Sequence, residues 1–248
     1  MIVRKENQIT LFASENLMAL NPNRKGLFCI FPIVPLFRHQ HIKQEGEFGI
    51  WEITEPRSFF LERLDMSDQE LGHYKSIKGH LQIEWLASRY LLHFMSGRDS
   101  RGRLYKDEYG KPYLENSTHA ISMSHSRNMA AVIASPVVCG IDIQLIVDKI
   151  ERIAPKFMNQ AEFDTLDKNQ LLHMHLYWGA KECLYKSYGK RKLEFREHIL
   201  IDPFTLDSDE GTFTGTVKKN TFEARYQLHF KRYDQYVLVY STQMETYE

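Results

Sequence analysis

The stretch Phe222-Glu-Ala-Arg-Tyr-Gln-Leu-His-Phe230 alternates apolar with polar side chains. An alternation with a period of two is typical of a β-strand that buries one face. Asp234-Gln235 separates this stretch from the apolar run Tyr236-Val-Leu-Val-Tyr240. Two strand-forming runs joined by a short polar connection predict an antiparallel hairpin.

Three further strands are predicted upstream of this tail. Ala120-Ile-Ser-Met-Ser-His125 and Met129-Ala-Ala-Val-Ile-Ala134 flank Arg127-Asn128, which suits a hairpin turn. Pro136 then breaks the chain, and the apolar run from Val137 to Ile143 predicts another buried strand.

Two long helices are predicted, one in each half of the chain. Ser67-Asp-Gln-Glu70 has the pattern of a capping box and opens a helical region that runs toward Met95, where Gly97 provides a stop. A second helix is predicted from about Lys168 to Gly189.

Each half therefore combines one long helix with antiparallel strands, which predicts an α+β fold. We expect two similar lobes that face each other, each a long helix packed on a small antiparallel sheet. A boundary at Pro136 gives an N-terminal lobe of residues 1–136 and a C-terminal lobe of residues 137–248. Strands are predicted up to about Pro56, and the apolar stretch from Leu27 to Phe37 predicts a buried strand or loop.

The composition excludes several function classes. Lys and Arg number 32 and Asp and Glu number 32, so the formal net charge is +0. General nucleic-acid binders are usually basic, so we expect no nucleic-acid partner, and any anion site must be local. No apolar run reaches the length of about 18 residues that predicts a membrane span, and the start at Met1 lacks a signal-peptide pattern. Three scattered cysteines favour a reducing cytoplasm.

The densest candidate for chemistry is Trp178-Gly-Ala-Lys-Glu-Cys-Leu-Tyr-Lys186. On a helix, Glu182 and Lys186 lie one turn apart, roughly opposite the apolar stripe. A carboxylate and an ammonium group then share one face. The alternative is an exposed i,i+4 ion pair, which contributes only about 0.3–0.5 kcal/mol.

A second candidate is Gly140-Ile-Asp-Ile-Gln144, where strand alternation puts Asp142 and Gln144 on one face. A carboxylate inside an apolar run needs a partner or a metal ion, because an unpaired buried charge is costly. The alternative is a strand-end acid that caps a neighbouring helix.

The pairs His39-Gln-His41 and His173-Met-His175 were also considered as metal ligands. A spacing of two residues directs both imidazoles to one side only on a strand, and the second pair lies on a predicted helix. We interpret both pairs as surface or packing residues.

Four short motifs, in order along the chain, resemble those of the 4′-phosphopantetheinyl transferase superfamily: Gly110-Lys-Pro112, Ser124-His-Ser126, Gly140-Ile-Asp142 and Trp178-x-x-Lys-Glu-x-x-x-Lys186. The length and layout are similar to its larger monomeric branch, the type that activates nonribosomal peptide synthetases. Trp85-Leu-Ala-Ser-Arg-Tyr-Leu-Leu92 is similar to the first long helix of that branch. The resemblance covers roughly residues 67–204.

The resemblance implies a cytoplasmic, monomeric, Mg²⁺-dependent transferase with coenzyme A as co-substrate. Its lobes would be related by a pseudo-twofold axis, with the active site in the cleft between them. The enzyme would move the phosphopantetheine arm onto a serine of an apo acyl- or peptidyl-carrier protein and release 3′,5′-ADP.

The resemblance also implies residue roles. Asp142 and Glu182 would be metal ligands, Glu182 the general base, and Lys186 the group that steadies the leaving phosphate. The implied contacts with coenzyme A are Arg89 at the 3′-phosphate, Lys111 and Pro112 near the adenine, and Ser124, His125 and Lys181 at phosphates. Lys75 and Lys78 are further phosphate candidates, with exposed helix lysines as the alternative.

One residue departs from the family pattern. Many members carry Glu two residues after the strand Asp, whereas this chain has Gln144. An amide oxygen can ligate Mg²⁺ but carries no charge, so we expect Gln144 to be a weak or water-mediated ligand. The departure leaves open a catalytically weakened protein of the same fold that binds coenzyme A or a carrier. An unrelated α+β protein with chance motifs is a second alternative.

Overall fold

A computed structural model describes residues 36–42, 45–166 and 168–247, which belong to one compact unit. Strands predicted before residue 36, and most of the stretch from Leu27 to Phe37, lie outside the described residues. The strands are β1 (Leu36–Ile42), β2 (Gly46–Glu52), β3 (Leu104–Lys106), β4 (Pro112–Leu114), β5 (Ala120–Ser126), β6 (Met129–Ser135), β7 (Cys139–Leu145), β8 (Ile199–Ile201), β9 (Glu210–Lys219), β10 (Phe222–Tyr233) and β11 (Tyr236–Tyr247). The helices are α1 (Arg57–Leu61), α2 (Asp68–Ser76), α3 (Leu81–Ser96), α4 (Lys149–Phe157), α5 (Gln160–Phe163), α6 (Gln170–Tyr188) and α7 (Phe195–His198).

Two antiparallel sheets form the framework. The four-stranded sheet has the order β1-β2-β6-β5, the five-stranded sheet has the order β7-β11-β10-β9-β8, and β3 pairs with β4. Together with the helices, these sheets confirm the predicted α+β class. The boundary predicted at residue 136 falls between β6 and β7, where the chain passes from one sheet to the other. The two lobes and their pseudo-twofold relation remain a prediction.

Each sheet is buried on both faces, because successive side chains along a strand point alternately into two different cores. In β6, Ala130 and Val132 pack in the core under α3, whereas Ala131 and Ile133 pack in the core between the sheets. β11 alternates in the same way between the core under α6 and the core between the sheets. In the described part of the chain, no helix is long and apolar enough to cross a membrane.

The predicted helix signals are found where the sequence indicates them. Ser67 caps α2 through a capping box with Glu70. The predicted helical region is interrupted after α2 and resumes as α3, which ends at Gly97 with a φ of 60°. Gly189 ends α6 with a φ of 70°. Glycine adopts these left-handed conformations without a steric penalty.

The two sheets meet at their edge strands β5 and β7. Alternate serines of β5 contact the backbone of β7: the Ser122 hydroxyl accepts from the Ile141 N–H at 3.2 Å, and the Ser126 hydroxyl accepts from the Leu145 N–H at 3.1 Å. An edge strand leaves backbone groups unpaired, and these hydroxyls satisfy two of them. Asp142 lies between the two contacts and is thereby fixed relative to β5.

β7 also approaches α6 closely at Gly140. A Cβ added there would lie 2.2 Å from the carbonyl oxygen of Cys183, which no real side chain tolerates. Gly140 therefore sets the short distance between β7 and α6 at which Asp142 interacts with Glu182 and Lys186.

We predict that Gly140→Ala lowers the free energy of unfolding by about 1–3 kcal/mol, because the added methyl group forces β7 and α6 apart. The measurement is urea denaturation followed by circular dichroism. Gly72→Ala in α2 is the matched control, since nothing lies within 4 Å of the added Cβ. In the control, the free energy of unfolding should rise by about 0.5–1 kcal/mol, because alanine is favoured over glycine inside a helix. A Gly140→Ala protein as stable as the parent would contradict the close-approach argument.

Candidate active site

Asp142 is the centre of a buried polar cluster. It lies in the middle of β7 with 7% of its surface exposed. Its Oδ1 accepts hydrogen bonds from Ser124 Oγ at 2.8 Å and Lys186 Nζ at 2.9 Å, and its Oδ2 accepts from Gln144 Nε2 at 3.3 Å. These donors come from β5, α6 and β7. Asp142 is therefore not the strand-end helix cap considered as an alternative, and its donors offset the cost of burying the carboxylate.

Glu182 and Lys186 contribute the second acid and the cation from α6. Lys186 Nζ also donates to the Ile141 carbonyl at 2.8 Å. Burial lowers the pKa of Lys186, but the charges of Asp142 and Glu182 outweigh it, so the pKa is raised. Burial raises the pKa of Glu182; Lys186 opposes this effect and Asp142 adds to it. Lys186 thus forms its salt bridge with Asp142, and both α6 residues are half-buried rather than an exposed pair.

Gln144 is oriented by its neighbours. Its Nε2 donates to the His175 carbonyl at 2.9 Å and to Asp142, and both partners can only accept. Its Oε1 therefore faces His175 Nδ1 at 2.7 Å, which fixes the tautomer, and His175 Nε2 accepts from the Val147 N–H at 3.0 Å. Burial lowers the pKa of His175, which favours this neutral ring. One lone pair of Gln144 Oε1 is thus used by His175, and direct or water-mediated ligation of a metal by Gln144 stays a prediction.

A cavity of about 320 Å³ lies beside this cluster, within the size range of ligand pockets. Lys186 lines the cavity and also binds Asp142, so the cavity lies next to the cluster, although neither Asp142 nor Glu182 lines it. Among the described residues that line it, none is acidic and five are basic: Arg89, Lys106, Lys111, His125 and Lys186. A neutral chain thus concentrates positive charge in one place, as a local anion site requires.

Arg89 is a buried cation on the cavity wall. Its guanidinium donates to the Trp85 carbonyl at 3.1 Å and to Ser88 Oγ at 3.2 Å, and lies 3.7 Å from the centroid of the Trp85 ring. Burial lowers its pKa to about 9. The neighbouring acid Glu70 is already paired with Arg101, and within the described structure the buried Arg89 Nε has no hydrogen-bond partner. A guanidinium in this state is suited to a phosphate ligand.

Of the five other predicted ligand contacts, three lie at the cavity and two do not. Lys111, Pro112 and His125 line it, and Lys111 Nζ donates to the Ser187 carbonyl at 2.8 Å. Ser124 is not among the lining residues; its hydroxyl donates to Asp142. Ser124 is therefore better described as a positioning residue for that carboxylate.

Lys181 does not fit the phosphate contact implied by the resemblance. Its side chain is fully buried, and its ammonium group contacts Glu162 Oε1 at 2.8 Å, the Ile199 carbonyl at 2.7 Å and the Phe195 carbonyl at 2.9 Å. These groups take the donors of the ammonium within the protein. Lys75 on α2 and Lys78 in the connection to α3 are exposed and do not line the cavity, which favours the alternative of exposed surface lysines.

Glu84 is a residue that the sequence analysis missed. It is buried in the first turn of α3 and accepts from His125 Nδ1 at 2.9 Å, with His80 Nε2 at 3.6 Å. An acid in a first helical turn is common, so the sequence offered no specific signal. The pKa of His125 is lowered, because burial and the charges of Lys186 and Arg89 outweigh the opposing charge of Glu84. Glu84 therefore orients His125 and limits the fall of its pKa.

Residues 138–241 match the family model of the 4′-phosphopantetheinyl transferase superfamily. This finding confirms the resemblance predicted from the motifs. The match spans Asp142, Glu182 and Lys186. A curated protein similar to this chain is the 4′-phosphopantetheinyl transferase gsp of Aneurinibacillus migulanus, with 29% identity over 154 residues. The aligned part covers 60% of this chain and 60% of that relative, so it spans less than two thirds of the relative's length.

Outside the region matched to the superfamily, the contact between Glu84 and His125 can be tested directly. We predict that Glu84→Gln lowers the pKa of His125 further, because the charge that opposes the effect of burial is lost. The measurement is a pH titration of the His125 ring signals by NMR. Glu52→Gln, an exposed site on β2, is the matched control and should leave the titration unchanged. An unchanged His125 pKa in Glu84→Gln would contradict the assigned role.

Proposed function

We propose that this protein transfers the 4′-phosphopantetheine arm of coenzyme A to a serine of an apo acyl- or peptidyl-carrier protein. The observation that carries the proposal is the cavity lined by basic and no acidic residues in a chain of zero net charge, with Lys186 linking it to Asp142. Coenzyme A is a polyanion with separate phosphate groups, so it suits basic residues distributed over one wall. The family match supports the same activity.

The basic residues suggest how coenzyme A is held. Arg89 is assigned to the 3′-phosphate, because its guanidinium is buried with a free Nε and no carboxylate partner among the described residues. Lys111 and Pro112 lie near the adenine in this proposal. His125, held by Glu84, contacts the phosphates, and Lys106 adds positive charge to the same wall.

The carboxylates of the cluster next to the cavity fit Mg²⁺. This ion prefers oxygen ligands and is usually held by one or two carboxylates together with water and substrate phosphates. Asp142 and Glu182 supply two carboxylates, and the charge of Asp142 contributes to the raised pKa of Glu182. Gln144, whose Oε1 accepts from His175 Nδ1, is proposed as a neutral ligand that is weak or acts through a water molecule. Mg²⁺ held there would neutralise negative charge on the pyrophosphate.

The transfer then needs a base and a cation from α6. Glu182 accepts the proton of the carrier serine, and its raised pKa makes it a stronger base than an ordinary glutamate. The serine oxygen bonds to the β-phosphorus of coenzyme A as the bond from that phosphorus to 3′,5′-ADP breaks. Lys186 remains cationic because its pKa is raised, and it steadies the leaving phosphate.

The lobes, the oligomeric state and the cellular compartment complete this description of the protein. We expect two lobes, residues 1–136 and 137–248, with a pseudo-twofold relation and the active site in the cleft between them. Residues from α3 and α6 line one cavity, so a monomer suffices. Cys139 and Cys183 are buried free thiols, which suits a reducing cytoplasm.

The activity is tested by mass spectrometry of an apo carrier protein incubated with this protein, coenzyme A and Mg²⁺. We expect the carrier to gain one phosphopantetheine group. Glu182→Gln should slow this gain by about a hundredfold or more, because general-base catalysis typically contributes that much. Glu151→Gln, an exposed glutamate on α4, is the matched control and should retain full activity. Chelation with EDTA should abolish the gain.

Calorimetry with coenzyme A distinguishes the failure modes. Tight coenzyme A binding without transfer to several carriers would favour the alternative, a binding protein of the same fold. That alternative was motivated by Gln144, whose hydrogen bonds give the neutral residue a positioning role. Absence of both coenzyme A binding and transfer would overturn the proposal.

A further inference from the structure

His39 and His41 form a pair of imidazoles on one face of an edge strand. Leu36–Ile42 is β1, and residues two apart on a strand project to the same side. The two rings have their centroids 5.2 Å apart. The sequence predicts a strand here and interprets the pair as surface or packing residues, and the structure adds that the two rings lie side by side.

A carboxylate on the neighbouring strand completes the group. Glu47 lies opposite His41 in the register of β1 and β2. Its Oε2 is 2.8 Å from His39 Nε2 and 3.6 Å from His41 Nδ1, and one ligand atom from each of the three residues lies within 4.8 Å of the others. Atoms that bind one zinc ion at about 2.0–2.2 Å lie roughly 3–4 Å apart, so only small side-chain rotations are needed.

We propose that His39, His41 and Glu47 form a binding site for a borderline divalent transition-metal ion, with Zn²⁺ as the representative. Two imidazoles and one carboxylate are a ligand set that zinc uses, with a water molecule in the fourth position. The nitrogen ligands select against Mg²⁺, which prefers an all-oxygen environment. This site therefore differs in chemistry from the Asp142 and Glu182 carboxylates.

The site is separate from the cavity and is partly preorganised. None of its three residues lines the cavity. The side chains of His39 and Glu47 are 27% and 24% exposed and already hydrogen-bonded to each other, whereas that of His41 is 83% exposed. In this proposal the exposed His41 side chain rotates to complete the site around the ion. Because the ligands come from both β1 and β2, a bound ion cross-links the edge strand to its neighbour.

Calorimetric titration with zinc chloride alone tests the proposal on the full chain after EDTA treatment and dialysis. Excess Mg²⁺ in the buffer serves as a competitor for the Asp142 and Glu182 carboxylates. We expect one zinc site. We also expect His41→Asn and Glu47→Gln each to lower the affinity for zinc at least about tenfold. Loss of a residue that only supports a metal ligand already has an effect of this size. Because the side chain of His41 is exposed, His41→Asn should fold as the parent does, and circular dichroism checks this.

His73→Ala is the matched control, since it removes one exposed imidazole outside the group. It should bind zinc as the parent does. The proposal is overturned if the parent binds no zinc under these conditions, if His41→Asn and Glu47→Gln bind zinc as tightly as the parent, or if His73→Ala loses affinity equally. In each of those cases His39 and Glu47 form only a surface ion pair. The result does not depend on carrier modification, so the two proposals can fail separately.

Discussion

The carboxylate of Asp142 holds together the parts of the molecule on which the candidate site depends. Its donors come from three elements: Ser124 on β5, Gln144 on β7 itself and Lys186 on α6. Gly140 allows β7 to approach α6 within reach of these contacts. A buried carboxylate without partners is costly. Asp142 therefore has its donors only where the two sheets meet against α6, so the packing of these elements also assembles the site.

Two lysines on α6 have different roles because they lie on different faces of the helix. Lys181 and Lys186 are five residues apart, so they point about 140° away from each other around the helix. Lys181 is fully buried and its charge is matched internally by Glu162. Lys186 pairs with Asp142 yet lines the cavity, where it is available to a ligand. The same residue type therefore stabilises the core at one position and contributes to the site at the other.

The sequence predicts elements whose signals are local. The alternation at Phe222–Phe230, the capping box at Ser67 and the stop at Gly97 depend on neighbouring residues, and the structure confirms each of them. Motif order likewise pointed to Asp142, Glu182 and Lys186, which the structure brings together in one cluster, and their catalytic roles stay a prediction. The directions of side chains were not predictable, because they depend on partners far away in the chain. The buried ion pair of Lys181 and the hydrogen bonds of Gln144 were therefore not foreseen. Glu84 was missed because its partner His125 lies 41 residues away on β5.

The central claim is that the basic cavity binds coenzyme A with its pyrophosphate at the Asp142 and Glu182 carboxylates. The most direct measurement is a crystal structure of the protein with coenzyme A and Mn²⁺ in place of Mg²⁺, with the ion located by its anomalous scattering. The account predicts one manganese ion bound by Asp142 and Glu182 and by phosphate oxygens, with Gln144 still hydrogen-bonded to His175 and Arg89 contacting the 3′-phosphate. Coenzyme A outside the cavity, or manganese that contacts neither carboxylate, would contradict it.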